Sequence, residues 1–191
     1  MRAAYVASGV AIVGLAIAAA ILVVGVPEAE APDAGALPVT REALKTHVAR
    51  APRDGRAWVL LARAELEVDR FREAADAYER GLATSRKAAL DPGVWCEYAD
   101  ALGMAQGGRL EGRPRELIER ALALNAAHPK ALEMAGSAAY ERGDFAAAAR
   151  YWKQLLPQLA EGTPAHDELA SAVARAERRA AGRAPLTDRA G

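Results

Sequence analysis

The residues able to do chemistry are few in this chain and scattered along it. Cys96 is the sole cysteine among 191 residues, which excludes a disulfide within the chain and any metal knot of paired cysteines. A lone thiol can be a small packing residue in a helix, or a redox or thioether partner, and nothing close to Cys96 in sequence would activate it. His47, His128 and His166 show no i, i+4 pairing and no carboxylate neighbours in a ligand pattern, which points to surface or capping roles. The 25 Asp and Glu residues fall mostly on solvated helix faces, with no spacing that nominates an acid and base pair. The expectation is a protein that is not an enzyme and that carries neither metal nor cofactor.

Composition narrows the remaining classes. Lys and Arg number 25, equal to the acids, so the formal net charge is zero. No basic cluster with interleaved aromatics occurs, which argues against a nucleic-acid partner. A chain of this length, with few aromatics and ample alanine, has room for one helical domain plus appendages.

The elements that would position any functional residue announce themselves as repeats. Phe71, Ala74, Tyr78 and Leu82 return 74 residues later as Phe145, Ala148, Trp152 and Leu156. Upstream, Trp58, Leu61 and Ala62 match Leu132, Ala135 and Gly136 on the same offset. Two turns of a repeat about 37 residues long fit this spacing. Each unit has a helix carrying a large residue and then a small one, followed by a helix with an Ala between aromatics. Small residues let backbones approach while large ones fill the adjoining groove. This is the pattern of the tetratricopeptide repeat (TPR), which the chain resembles. It predicts an all-α helical solenoid of about three helix-turn-helix repeats plus flanking helices.

Punctuation agrees. Repeat three, about Pro129 to Leu159, has Pro129 for a first helical turn, Gly143 for a left-handed C-terminal position and Asp144 for the next cap. Repeat one, about Gly55 to Ala88, is expected to open with Pro52 and Asp54 in the same way, Trp58 being its first large core residue. Repeat two places Trp95, Tyr98, Ala99 and Leu102 on one helix and Leu117, Ile118, Ala121, Leu122 and Leu124 on the next. Between them the run from Gln106 to Pro114, with three glycines, is longer than its counterparts. Pro114 stands where the other repeats have Ala74 and Ala148, tolerable because this is an opening turn.

Appendages flank the repeats. From Ala3 to Val26 no residue is charged, and about 24 positions at about 1.5 Å each can span a hydrocarbon core of about 30 Å. Residues 1–26 therefore read as a transmembrane anchor, with a cleaved signal peptide as the rival reading. Arg2 on one side and Glu28, Glu30 and Asp33 on the other place the body outside the cytoplasm, in the periplasm of a bacterium. Residues 27–38 read as a semi-extended linker. The domain then covers 39–181, beginning with a short helix from about Thr40 to Ala51 that presents Leu44 and Val48. A helix from Thr163 and Pro164 to about Ala181, with Leu169, Val173 and Ala176 on one stripe, reads as its terminal cap. Residues 182–191 are expected to be a disordered tail.

A closer resemblance rests on repeats two and three. Ala99-Asp100-Ala101-Leu102, then Gly107-Gly108-Arg109-Leu110-Glu111-Gly112 with Pro114, then Leu117 through Leu124, His128-Pro129-Lys130-Ala131-Leu132, Gly143-Asp144-Phe145 and Tyr151-Trp152-Lys153-Gln154-Leu155-Leu156 resemble the membrane-anchored TPR proteins of bacterial cytochrome c maturation, the CcmI/CycH and NrfG group. The resemblance covers about Pro52 to Leu159. It implies a single-pass protein of the inner membrane, its TPR domain in the periplasm, acting as a chaperone-like adaptor. Such an adaptor holds the C-terminal segment of apocytochrome c and presents it to haem lyase and other maturation-complex subunits, without binding haem as an enzyme does. Larger members carry a second span and a cytoplasmic loop, whereas the layout here is similar to shorter, single-anchor members linked to cytochrome c nitrite reductase assembly. The alternative is a membrane-tethered TPR scaffold that docks a folded partner in another envelope complex.

In such arrays the first helix of each unit lines the concave groove. The positions so placed are Arg56, Val59, Arg63 and Leu66, then Cys96, Asp100 and Met104, then Lys130, Glu133, Ser137 and Tyr140. This set suits an amphipathic helix or chain end, with Arg63 and Lys130 able to meet a carboxylate. Each charge can equally be a solvated helix face.

Overall fold

Alanine occupies much of the interior, and that sets how closely the helices pack. The computed structural model describes residues 40–183, in which Ala57, Ala62, Ala74, Ala99, Ala121, Ala139 and Ala148 are all fully buried. Helix α1 (Arg41–Arg50) is capped by Thr40, and α2 (Gly55–Leu66) by Asp54, whose carboxylate accepts from Ala57 N at 3.1 Å. Next come α3 (Phe71–Thr84), a single turn α4 (Arg86–Ala89) capped by Ser85, and α5 (Pro92–Ala105) capped by Asp91. Helices α6 (Arg113–Leu124), α7 (Pro129–Glu141), α8 (Phe145–Leu155) and α9 (Pro164–Arg183) complete the order, with a 3₁₀ turn, Leu156–Gln158, after α8. Side-chain oxygens of Thr40, Asp54, Ser85, Asp91, Asp144 and Thr163 take N–H groups that helix starts leave without partners. His128 Nδ1 does so for α7, whereas α3 and α6 have no side-chain cap.

The hairpins are α2 with α3, α5 with α6, and α7 with α8; each stacks on the next through α3 on α5, α6 on α7 and α8 on α9. This is an all-helical, TPR-like solenoid, with α1 covering its first face. The repeat length is visible in the contacts as well as the letters. Trp58 donates its indole N–H to Pro52 O at 2.9 Å, and Trp95, 37 positions on, donates to Ala89 O at 3.0 Å. Each ring lies beneath an arginine of the following long helix, Arg80 at 4.9 Å and Arg120 at 5.7 Å.

Local details depart from the sequence reading. Pro52 lies in the turn ahead of α2 rather than in its first helical turn, and its carbonyl is the acceptor for Trp58. Helix α4 was not foreseen; Ser85 ends α3 and caps α4 at once. Pro114 is buried near the start of α6. The glycine-rich insertion is a built loop. Gly107, Gly108 and Gly112 take φ of 80°, 83° and 74°, values that L side chains avoid. The Gln106 amide donates to Glu111 O at 3.0 Å, while Leu110 N donates to the Glu141 carboxylate at 3.0 Å. The insertion is thereby fastened to the end of α7.

Two apolar clusters result among the described residues. The larger runs from Leu44 on α1 to Met134 and Ala135 on α7. The smaller joins Ala139, Ala147, Ala148, Ala149 and Trp152 to Val173 and Ala176 of α9. A charged side chain is buried with the first cluster. Glu65, 2 % exposed, meets Lys45 at 3.1 Å, Arg41 at 3.3 Å and Arg70 at 3.4 Å. A buried carboxylate persists only with such partners, and here they fasten α1 to repeat one.

Among the described residues no helix is long and apolar enough to cross a membrane. The expected anchor at 1–26 and linker at 27–38 lie outside the described residues, as does most of the expected tail, whose first two positions continue α9.

Candidate peptide-binding groove

Helices α7 and α9 both pack on α8 but hardly on each other, and the space between them is a groove of about 550 Å³. Its floor comes from Trp152 and Leu155 of α8, with Leu159 beyond them. Lys130, Glu133 and Ser137 of α7 form one wall, and Ala165, Glu168, Leu169 and Ala172 of α9 the other. An apolar floor between polar rims is the arrangement that receives one face of an amphipathic helix.

The floor is held in place from below. A Cβ at Gly136 would overlap the Trp152 indole, so only glycine lets the ring lie there. Trp152 Nε1 donates to Glu133 O at 3.3 Å, the carbonyl that also accepts from the Ser137 hydroxyl at 3.1 Å. Tyr140 stacks beside Trp152 with ring centroids 5.7 Å apart, and Arg179 of α9 lies 5.3 Å from the Tyr140 ring. At the outer rim Lys130 pairs with Glu133 at 3.2 Å.

Of the residues placed in a groove by sequence, Lys130, Glu133 and Ser137 are brought together here. Tyr140 is half-buried behind them. Arg56, Asp100 and Met104, the last 46 % exposed, are on the surface but do not line this groove, and Leu66 packs half-buried against the larger core. Two placements are corrected. Val59 is 6 % exposed because it turns onto Gly81 of α3, where a Cβ would sit 2.8 Å from its methyl. Cys96 is 2 % exposed, with Sγ 3.8 Å from His128 Nδ1, which also accepts from Ala131 N. Burial pushes the Cys96 thiol up to about 12, so it is no nucleophile near neutrality.

Arg63 is exposed yet engaged. Its Nε and Nη2 donate to Glu97 at 2.9 and 3.0 Å, and the buried Tyr78 hydroxyl donates to the same carboxylate at 3.0 Å. Burial first, and the Glu97 charge second, drive the Tyr78 phenol well above its ordinary range. Glu97 thus ties α2, α3 and α5 together. Sequence reasoning missed the groove's far wall because it took α9 only as a cap. The signal was available in the Leu169, Ala172 and Val173 stripe, which puts α9 where a fourth repeat would place its first helix.

Among the described residues no group of three His, Cys, Asp or Glu is placed to hold a metal ion.

Comparison with known proteins gives this fold a context. The sequence model of the family described as cytochrome c-type biogenesis protein H TPR domain matches residues 30–166. The chain is 30 % identical over 132 residues to the cytochrome c-type biogenesis protein CycH of Bradyrhizobium diazoefficiens, covering 69 % of this chain and 35 % of that protein. It is 28 % identical over 136 residues to CycH of Pseudomonas aeruginosa, covering 71 % and 33 %. The chain thus spans about a third of the length of these relatives. Among solved structures, MamA superposes with a TM-score of 0.55 at 14 % identity, covering 75 % of this chain and 88 % of that one. An identity so low speaks to the fold alone.

Proposed function

Because the chain belongs to the family of cytochrome c-type biogenesis protein H TPR domains, we propose that it is an assembly adaptor which holds the C-terminal segment of apocytochrome c in its groove and presents it for haem attachment. The observation that carries this reading is the apolar floor of Trp152, Leu155 and Leu159 between two helical walls. A client segment that becomes an amphipathic helix in the groove would gain most of its binding energy by burying its apolar face. The adaptor needs no covalent step of its own. Its contribution is to keep the client bound and local to the haem lyase and the other maturation subunits, raising their effective concentration.

The same reading places the protein in the bacterial inner membrane, tethered by the uncharged stretch Ala3 to Val26, with the repeats in the periplasm. Nucleic acid has no part in it. The test is a fluorescence titration of the fragment Leu37–Gly191, one compact unit, with synthetic C-terminal segments of cytochromes c from the same cell. Binding at micromolar concentrations that is lost on filling the groove with Ala165→Trp is expected. Failure of every segment to bind at tens of micromolar contradicts the reading. A scaffold for another envelope complex would instead bind a folded partner and ignore these peptides.

A further inference from the structure

We propose that the groove between α7 and α9 selects a bulky apolar side chain with a basic residue one helical turn away, and that it does not read a client's terminal carboxylate. This rests on the adaptor reading above and specifies what the client must present.

The charges around the groove carry the argument. Lys130 is its one cation among the described residues and is already paired with Glu133 at 3.2 Å. Glu168, on the opposite wall, makes no ion pair or side-chain hydrogen bond among the described residues, although Arg175 of the same helix lines a neighbouring hollow with it. If Lys130 turned to an incoming carboxylate, Glu133 and Glu168 would both face the groove unpaired. Helix starts offer no substitute. Helices α7 and α9 each begin with a proline that has no N–H, and the side chains of His128 and Thr163 take the Ala131 and His166 N–H groups. Each start therefore keeps a single amide, that of Lys130 or Ala165, rather than the cluster that binds an anion. Arg63, the other cation expected to meet a carboxylate, is held by Glu97. An incoming lysine or arginine, by contrast, completes a second pair across the rim while its neighbour fills the space over Trp152, Leu155 and Leu169. An amphipathic helix presents both at i and i+4.

The experiment uses the full chain in detergent micelles and fluorescein-labelled helical peptides of one host sequence. The central residue is Leu or Ser, position i+4 is Lys, Ala or Glu, and the C-terminus is free or amidated. The Leu/Lys peptide is expected to bind tightest. Replacing Leu by Ser should weaken it about tenfold, and replacing Lys by Glu about three- to tenfold at low ionic strength, with the difference shrinking as salt is added. Amidation should leave affinity unchanged. Glu168→Lys should reverse the preference, so that the Leu/Glu peptide binds better than the Leu/Lys peptide; a purely structural role for Glu168 gives no such exchange. Glu168 and Ala165 are exposed, and equal thermal melts check that the variants fold.

Dependence on a free C-terminal carboxylate, an unchanged order of peptides in Glu168→Lys, or no binding by any of them overturns the proposal. The two readings separate cleanly. If apocytochrome c binding is lost in Ala165→Trp but ignores Glu168→Lys, this inference fails and the adaptor stands. If the peptide order holds and apocytochrome c does not bind, the adaptor fails while the groove's chemistry stands.

Discussion

The Trp152 indole lies against Gly136 with no room for a Cβ between them. That single contact closes the α7 and α8 hairpin, seats the smaller core and builds the floor of the groove. Gly136→Ala is expected to cost about 1–3 kcal/mol, because the ring must leave its place or the helices must part. Gly136→Trp and Ala74→Trp should abolish cooperative melting, since Ala74 is fully buried, while Glu73→Trp on the exposed face should not. Circular dichroism melts check all four; equal tolerance would contradict the packing.

Glu97 gathers three donors from two other helices. Glu97→Ala leaves the Tyr78 hydroxyl buried without an acceptor, an expected loss of about 1–3 kcal/mol. Tyr78→Phe in the same background should recover part of that loss, because it removes the orphaned group. A double-mutant cycle by urea denaturation measures the coupling. Additive losses would show that the hydrogen bond contributes nothing.

Cys96 should be silent in the folded protein. Its thiol is buried and pushed up to about 12, so iodoacetamide near pH 8 should leave it unlabelled for hours and label it promptly in urea. Rapid labelling of the native protein would mean that the contact with His128 opens. The redox reading of this residue would then return.

Asp54 links stability to acid. Burial works to raise its carboxyl, but hydrogen bonds from His47 and from Ala57 N–H outweigh that and hold it below the usual carboxylate value. A lowered folded value means that the stabilisation is fully present above the unfolded value of about 3.9 and fades as pH falls through the folded one. Asp54→Ala is therefore expected to cost about 1 kcal/mol near neutral pH. The gap between mutant and parent urea midpoints should narrow below about pH 4. A gap that widens on acidification would contradict the assignment.

What the sequence made legible was local. Asp54 and Asp144 cap helices within three residues of themselves, and the Ala and Trp offsets recur whatever surrounds them. Long-range partnerships were hidden. Glu65 and Glu97 look like ordinary solvated positions until Arg41, Lys45 and Arg70 are seen around one and Arg63 and Tyr78 around the other. Val59 and Cys96 occupy groove-facing positions in the repeat pattern, yet Gly81 and His128 approach closely enough to enclose them. The groove was half found for the same reason. Its near wall follows from the repeat, whereas its floor and far wall depend on where α9 comes to rest. The glycine-rich insertion, informative as a pattern, proves to be a loop tied to α7 through Glu141.

The adaptor account is tested most directly by placing a photo-crosslinking amino acid at Ser137, on the groove wall, in cells producing the full chain. Illumination should capture a cytochrome c polypeptide whose mass lacks haem, and Ala165→Trp should abolish that product. Capture of a mature, haem-bearing cytochrome or of some other folded envelope protein, with no haem-free chain among the products, would contradict the account.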